Sequence, residues 1–315
     1  KEIKGKVTIN ATGVFTNSIM KMNDKAYKKY IVPSQGIHLV FDKSFLPSDY
    51  ALMVPKTSDG RVLFAVPWHD KIIVGTTDTL IKSHSLEPIA LESEIEFVLE
   101  TAQRFLAKKP TRADVLAVFA GLRPLAAPEK EGQNTKEVSR SHKIFVSETG
   151  LITITGGKWT TYRKIAEDII DKAISEKKLP KKECKTEHLS IRGNQKTSTL
   201  DRENHLYVYG SDIKNIMALQ NNALELKEKI HPDYDFTMAE VAWAIRYEMA
   251  ITLDDILARR VRLLFLDSRA AISSCEKVAR FMAKELGKDE LWITNQISEF
   301  KTIANGFLLP EFRSN

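Results

Sequence analysis

From Leu151 to Thr155 (LITIT) isoleucine and threonine alternate, and the run stops at Gly156-Gly157. Past Lys158 to Arg163 (KWTTYR), apolar residues return at Ile165, Ala166, Ile169, Ile170 and Ala173, the three- and four-residue spacing of one helix face. The pattern predicts a strand, a glycine turn and a helix. A second junction of this kind opens the chain: a short strand Val7–Asn10, then Ala11-Thr12-Gly13, then a helix over Phe15–Met22. Glycines in such turns let a ligand approach bare backbone, and the helix that follows aims unpaired N–H groups and about half an elementary charge at it. An anionic or electron-rich ring edge is favoured there, although the same pattern also builds an ordinary βα turn with no ligand.

Between the two junctions the reading is β-rich, with strands at Ile37–Phe41, Tyr50–Val54, Val62–Val66 and Lys71–Gly75. Turn signals at Pro47-Ser48-Asp49, Ser58-Asp59-Gly60 and His69-Asp70 separate them, and connections this short predict antiparallel neighbours. Pro88–Leu106 carries Ile95, Val98, Leu99, Ala102 and Leu106 at helical spacing, so a helix covers one sheet face. A strand at Val115–Phe119 is expected to end at Gly121-Leu122-Arg123-Pro124-Leu125, and Val138–Arg140 and Lys143–Ser147 to return to the sheet. A short strand such as Val7–Asn10 needs sheet neighbours that the first residues do not supply, so the chain reads as starting part-way through a domain.

After Glu176 the composition turns to Lys, Glu, Ser, Thr and Gly around Pro180, which marks a linker. Helices follow at Ile213–Leu219, Thr237–Ile251, Leu253–Phe265, Ala270–Leu286 and Leu291–Ala304, with Thr237 and Glu240 spaced as a capping box and Ser211-Asp212 ready to cap the first. The expected organisation is α/β (α+β): a domain over 1–178, a linker over 179–199 and an all-α domain over 200–315.

Composition narrows the function classes. At 43% hydrophobic and 28% charged, the 315 residues are ordinary for a globular protein, with no apolar run near the ~20 residues of a membrane span and no opening signal peptide. That reads as an intracellular protein. Cys184 and Cys275 are the only cysteines, too few for a disulfide framework and without metal spacing. The net charge of +6 comes from dispersed lysines with no aromatic-interleaved motif, which speaks against nucleic acid. Metal-ligand spacing, a nucleophile elbow and a P-loop are all absent from the sequence.

Arg123, Arg140 and Lys158 stand at strand ends or on the glycine turn, where a cation suits recognition of phosphate or carboxylate; each alone also fits a surface ion pair. His38, within Ile37-His38-Leu39, should project to the face opposite its neighbours, as a proton acceptor or as a structural histidine. His69, His84, His142, His188, His205 and His231 lie in turns or polar stretches and carry no assigned role. Gly75-Thr76-Thr77-Asp78-Thr79 could hydrogen-bond a cofactor or simply cap a turn.

Taken together, Ile9–Gly13, Gln35–His38, Pro67–Asp70, Gly75–Asp78, Gly121–Leu125, Ser139-Arg140 and Gly156–Arg163 resemble the FAD-dependent glycerol-3-phosphate dehydrogenases, in order and spacing from Val7 to Ala173. The tail, with Tyr247-Glu248 and Ala258-Arg259-Arg260, is similar to that family's C-terminal cap domain. The resemblance implies part of a Rossmann-like FAD domain, a mixed or antiparallel substrate-domain sheet and an all-α cap. It further implies oxidation of sn-glycerol 3-phosphate to dihydroxyacetone phosphate, with electrons passing to quinone, on the cytoplasmic side of a membrane as a peripheral protein and as a homodimer.

On that resemblance Ala11, Thr12, Gly13, Gly121, Gly156, Gly157, Lys158, Trp159 and Thr160 hold FAD, and Arg140 and Thr77 bind substrate. His38, Arg123 and Lys158 are catalytic, and with Arg140 they meet around one hollow beside the Gly156-Gly157 bend. The family's GxGxxG fingerprint is missing, so the chain resembles a member without its N-terminal part and is expected to hold FAD weakly. An oxidase that uses O2 and a non-catalytic binding or oligomerisation module are the other readings.

Overall fold

The computed structural model describes residues 2–27, 31–82, 85–126, 142–196, 201 and 204–313. In chain order its strands are β1 (Ile9–Asn10), β2 (Ile31–Asp42), β3 (Leu52–Val54), β4 (Leu63–Trp68), β5 (Lys71–Gly75), β6 (Thr79–Leu80), β7 (Ala117–Ala126), β8 (Lys143–Val146) and β9 (Ile152–Thr155). The helices are α1 (Thr16–Asn23), α2 (Glu92–Phe105), α3 (Tyr162–Glu176), α4 (Ile213–Asn222), α5 (Leu224–Lys227), α6 (Met238–Tyr247), α7 (Leu263–Leu266), α8 (Ser268–Leu286) and α9 (Glu290–Asn305).

Contacts divide the chain into two units, each built from three segments: Lys1–Gly36, Asp78–Pro88 and Gly121–Leu189, then Ile37–Thr77, Ile89–Ala120 and Ser190–Asn315. This cuts across the expected division at residues 178 and 200. The reason lies in the second unit, where the end of the chain is tied to the segment before β7 and to its start. Ser268 Oγ donates to the Leu116 carbonyl at 2.9 Å, the Val118 N–H to the Phe307 carbonyl at 2.9 Å, and Leu309 is buried with Ile37, Leu39 and Ile95.

In the first unit β1, β9 and β8 form a sheet in that order, β1 parallel to β9 (Ile9 opposite Ile152) and β8 antiparallel to it. Ile152, Ile154, Ile169 and Ala173 form its core, which fastens α3 to the sheet. In the second unit β3, β4, β5 and the latter half of β2 are antiparallel, as the short connections predict. The β4–β5 link is a two-residue hairpin with φ of 47° at His69 and 59° at Asp70, the left-handed pair that matches strand twist. One sheet face buries Ile37, Leu39, Phe41, Ile72 and Val74 under Ile95, Val98 and Ala102 of α2, and the helices gather their own core around Trp243, Leu253, Ile256 and Phe300.

Several boundaries depart from the expected ones. β7 runs through Gly121 and Pro124 instead of ending there, with Gly121 extended as part of the strand. The expected helix over Leu253–Phe265 is broken: a π-helical turn at Asp255–Arg260, then Arg262 at φ 60°, then α7. Helix α6 stops at Tyr247, two residues before Met249 at φ 59°, so the expected run to Ile251 is not made. Thr237 and Glu240 do form a capping box, the Thr237 N–H donating to Glu240 Oε2 at 2.7 Å, whereas the Asp212 side chain makes no cap bond to α4. The expected strand at Val138–Arg140 lies outside the described residues.

Two outcomes follow from these cores and contacts. Ile152→Ala removes a fully buried side chain from the small first-unit core, and we expect a loss of about 2–5 kcal/mol. Hydrogen exchange should accelerate in β8 and β9 and leave α8 protected. In the second unit Arg112 grips Glu311 with two bonds of 2.6 and 2.8 Å, and this hydrogen bonding holds the Glu311 carboxyl down at about 2. A depressed carboxyl stabilises the fold above its ordinary range near 4.5 and ceases to as pH falls through about 2. The gap in melting temperature between wild type and Arg112→Ala should therefore be constant above that range and close between the two values, by a modest amount because both side chains are about one-third exposed.

Candidate functional site

Parallel pairing of β1 with β9 makes both glycine turns leave the same, carboxyl end of one sheet, where open α/β sheets bind ligands. Asn10, 1% exposed, shapes the first turn. Its Oδ1 accepts from the Thr12 hydroxyl at 2.7 Å and its Nδ2 donates to the Thr16 carbonyl at 3.3 Å, which clamps Ala11-Thr12-Gly13 in place. Sequence reasoning passed over Asn10; the signal was a polar residue closing an apolar strand just before a turn. Gly13 then takes φ 57°, with nothing within 4 Å of the position a Cβ would fill.

At the second turn Gly156 and Gly157 take φ of 76° and 79°. A Cβ on Gly157 would stand 2.5 Å from Ile165 Cδ1, so glycine here lets the helix settle on the turn. A short 3-10 turn, Trp159–Thr161, precedes α3, which starts at Tyr162, ahead of the first apolar position of the expected helix face at Ile165. Lys158, Trp159 and Thr160 are exposed, and the Trp159 ring stacks on Tyr162 with centroids 5.5 Å apart. Below the turn His142 Nε2 meets Asp168 Oδ2 at 2.9 Å; Lys164 first, then His142, hold the Asp168 carboxyl below its usual range. That pair pins the residue before β8 to α3.

Two hydroxyls at this edge are unusual. Thr16 Oγ1, at the start of α1, and Thr155 Oγ1, at the end of β9, are buried with no hydrogen-bond partner among the described residues. Buried polar groups are seldom left so, and a missing partner is an informative signal of a ligand or water.

Also in the first unit, Arg123 on β7 places a guanidinium nitrogen 3.6 Å from Asp78 Oδ1, and Asp78 accepts a close hydrogen bond from the Ser34 hydroxyl. The arginine is thereby steered from the region of β2 and β6 and stays partly exposed. Gly121, on the same strand, has open space where a Cβ would stand. Arg140 lies outside the described residues.

In the second unit His38 lies on the sheet face opposite the core, half-buried between the fully buried Ile37 and Leu39, as its alternation predicts. Its ring stacks on Phe119 at 5.2 Å between centroids and lies across Gly75, its partner on β5. A Cβ on Gly75 would run into the imidazole and stand 2.7 Å from the Ile37 carbonyl oxygen. Thr77 lies beneath the same strand. It is 2% exposed, donates to Glu94 Oε1 at 2.7 Å and accepts from the Ile37 N–H at 3.1 Å. Glu94, itself buried, also accepts from the Leu91 N–H at 3.1 Å, so Thr77 fixes the residue before His38 to the start of α2.

The structure thus brings Ala11, Thr12 and Gly13 to the same sheet edge as Gly156, Gly157, Lys158, Trp159 and Thr160. Arg123 is held in that unit by Asp78, and His38 and Thr77 belong to the other.

Residues 1–163 match the family described as FAD dependent oxidoreductase, and residues 147–291 match the C-terminal domain of alpha-glycerophosphate oxidase. The mitochondrial glycerol-3-phosphate dehydrogenase of Arabidopsis thaliana is 37% identical over 96% of this chain and 52% of its own length. That of Mesocricetus auratus is 36% identical over 99% of this chain and 45% of its own. The chain spans about half the length of these relatives. Among solved structures, the glycerol-3-phosphate dehydrogenase of Bacillus halodurans complexed with FAD superposes with a TM-score of 0.83 at 27% identity, over 99% of this chain and 64% of that one. With its paired glycine turns on one parallel sheet edge, the chain belongs to the family of FAD dependent oxidoreductases.

Proposed function

We propose that this chain supplies part of the cofactor and substrate sites of an enzyme that oxidises sn-glycerol 3-phosphate to dihydroxyacetone phosphate. The observation that carries the reading is the carboxyl edge of β1 and β9, with two glycine turns and the unpartnered Thr16 and Thr155 hydroxyls beside it. Those hydroxyls and the bare backbone at Gly13, Gly156 and Gly157 suit a polar, electron-rich ring edge. They fit FAD, with Ala11, Thr12, Gly121, Lys158, Trp159 and Thr160 completing its contacts. When bound, FAD supplies the hydride acceptor at N5 that oxidation of an alcohol requires.

The chain's own residues do the remaining work. His38, on the open face of its sheet and fixed by Phe119, accepts the proton of the C2 hydroxyl. Arg123 and Lys158 orient that hydroxyl and stabilise the charge that grows on its oxygen. Arg140 holds the phosphate, for which a guanidinium fork is suited. Thr77 acts through Ile37, setting the backbone that carries His38. The named relatives are dehydrogenases, which supports an acceptor other than O2, and quinone is the acceptor assigned here.

Titration of the chain with FAD, followed by flavin fluorescence, should show weak, saturable binding. Gly157→Ala, strained at positive φ and pressed against Ile165, should weaken it about tenfold; unchanged affinity would put the cofactor elsewhere. In an intact enzyme that contains this chain, assayed with an artificial electron acceptor, His38→Asn should lower kcat by about 10²–10⁴-fold and flatten the pH profile, with little change in KM. An unaltered profile would move the proton-accepting role to Arg123 or Lys158, and peroxide released in step with turnover would replace quinone by O2.

A further inference from the structure

A cavity of about 300 Å³ opens in the second unit where the β4–β5 hairpin tip meets the C-terminal helices, and His69, Tyr209, Glu240, Glu248, Arg260 and Arg262 are among its walls. None of these residues takes part in the function proposed above. Its charges are balanced one by one, with a single exception. Glu240 accepts from the Thr237 N–H at 2.7 Å and the Tyr209 hydroxyl at 3.2 Å, and lies 3.1 Å from His205. Glu248 accepts from the Trp243 indole N–H at 3.0 Å, while Arg260 donates to the Glu248 carbonyl and pairs with Asp255 at 3.3 Å. Arg259, also on the wall, pairs with Asp254 and with Asp255 at 3.8 Å. The Arg262 guanidinium has no ion pair or hydrogen bond among the described residues, although its backbone carbonyl accepts from the Phe265 and Leu266 N–H groups.

The backbone accounts for this exception. The π-helical turn over Asp255–Arg260 is followed by Arg262 in the left-handed region at φ 60°, two residues beyond Arg260, the second of the arginines that meet acidic partners. The hairpin meanwhile holds His69 between Trp68 and Tyr207, with ring centroids at 4.9 and 6.0 Å. Burial, then the positive charge of Arg262, keep the His69 imidazole below its usual range, so near neutral pH it adds an N–H without adding charge. Tyr209 and Phe236 supply apolar wall. We propose that this cavity is an anion site that takes the phosphate or carboxylate group of a small metabolite, bound by the Arg262 guanidinium with the carbon part against Tyr209 and Phe236. A guanidinium without a counter-ion beside a neutral imidazole selects an oxyanion. The volume stands at the low end of small-molecule sites, about 300–1,000 Å³, and so admits a few-carbon ligand and excludes a dinucleotide.

The test is an NMR titration of the purified chain with sodium phosphate and, separately, sodium acetate at constant ionic strength, following the His69 and Tyr209 ring signals. We expect a saturable shift with at least one salt; the stronger of the two identifies the ligand group as phosphate or carboxylate. Arg262→Gln should weaken binding about tenfold or more, and Arg262→Lys, which keeps the charge and the backbone demand, should restore most of it. The absence of a saturable shift with either salt up to about 50 mM would overturn the proposal. So would an Arg262→Gln protein, folded by its undisturbed α8 amide signals, that binds as tightly as wild type.

Discussion

The parallel pairing of β1 with β9 is the constraint on which the candidate cofactor edge depends. Antiparallel strands would send one glycine turn to each end of the sheet; parallel strands send both to the same end. Ile9 opposite Ile152 and Asn10 opposite Thr153 set that register, and the buried isoleucines beneath it hold α3 close enough that a Cβ on Gly157 would press on Ile165 Cδ1. The unpartnered Thr16 and Thr155 hydroxyls then stand where the backbone is barest. Chain direction, packing and polar chemistry converge on one edge.

The second unit uses buried hydrogen bonds to position a half-buried ring. Thr77 joins the Ile37 N–H to Glu94, and Glu94 joins the start of α2, so the strand segment carrying His38 is fixed from beneath. Above it Phe119 stacks on the imidazole and Gly75 leaves the space across which it lies. A buried carboxylate with donors on both oxygens costs far less than an unpaired one, which is how Glu94 is tolerated inside a core of isoleucine and valine. Positioning of this kind suits a residue that must meet a proton in one direction.

Charge is handled differently among the C-terminal helices. Arg246 with Glu285, Arg280 with Glu290 and Arg112 with Glu311 are surface pairs, each fork answered by a carboxylate. Around the cavity below the β4–β5 hairpin the same answering leaves Arg262 over, and the left-handed turn that places it there breaks a helix that apolar periodicity alone would have carried on.

Much was legible in the chain itself, because local rules decide it. The β9 to α3 junction, the antiparallel strands, the Thr237–Glu240 capping box and the outward placement of His38 all follow from alternation, spacing and turn chemistry within a few residues. What lay beyond local rules was decided by contacts between distant segments. Nothing near Gly121 shows that β7 continues through it, nothing near Leu253–Phe265 reveals the π turn, and Thr77 reads as a polar turn residue until Glu94, far along the chain, takes its hydroxyl. Asn10 and Arg262 were passed over for the same reason. The roles open to them come from a parallel neighbour strand and from carboxylates already engaged elsewhere, and only the folded chain brings such partners within hydrogen-bonding reach.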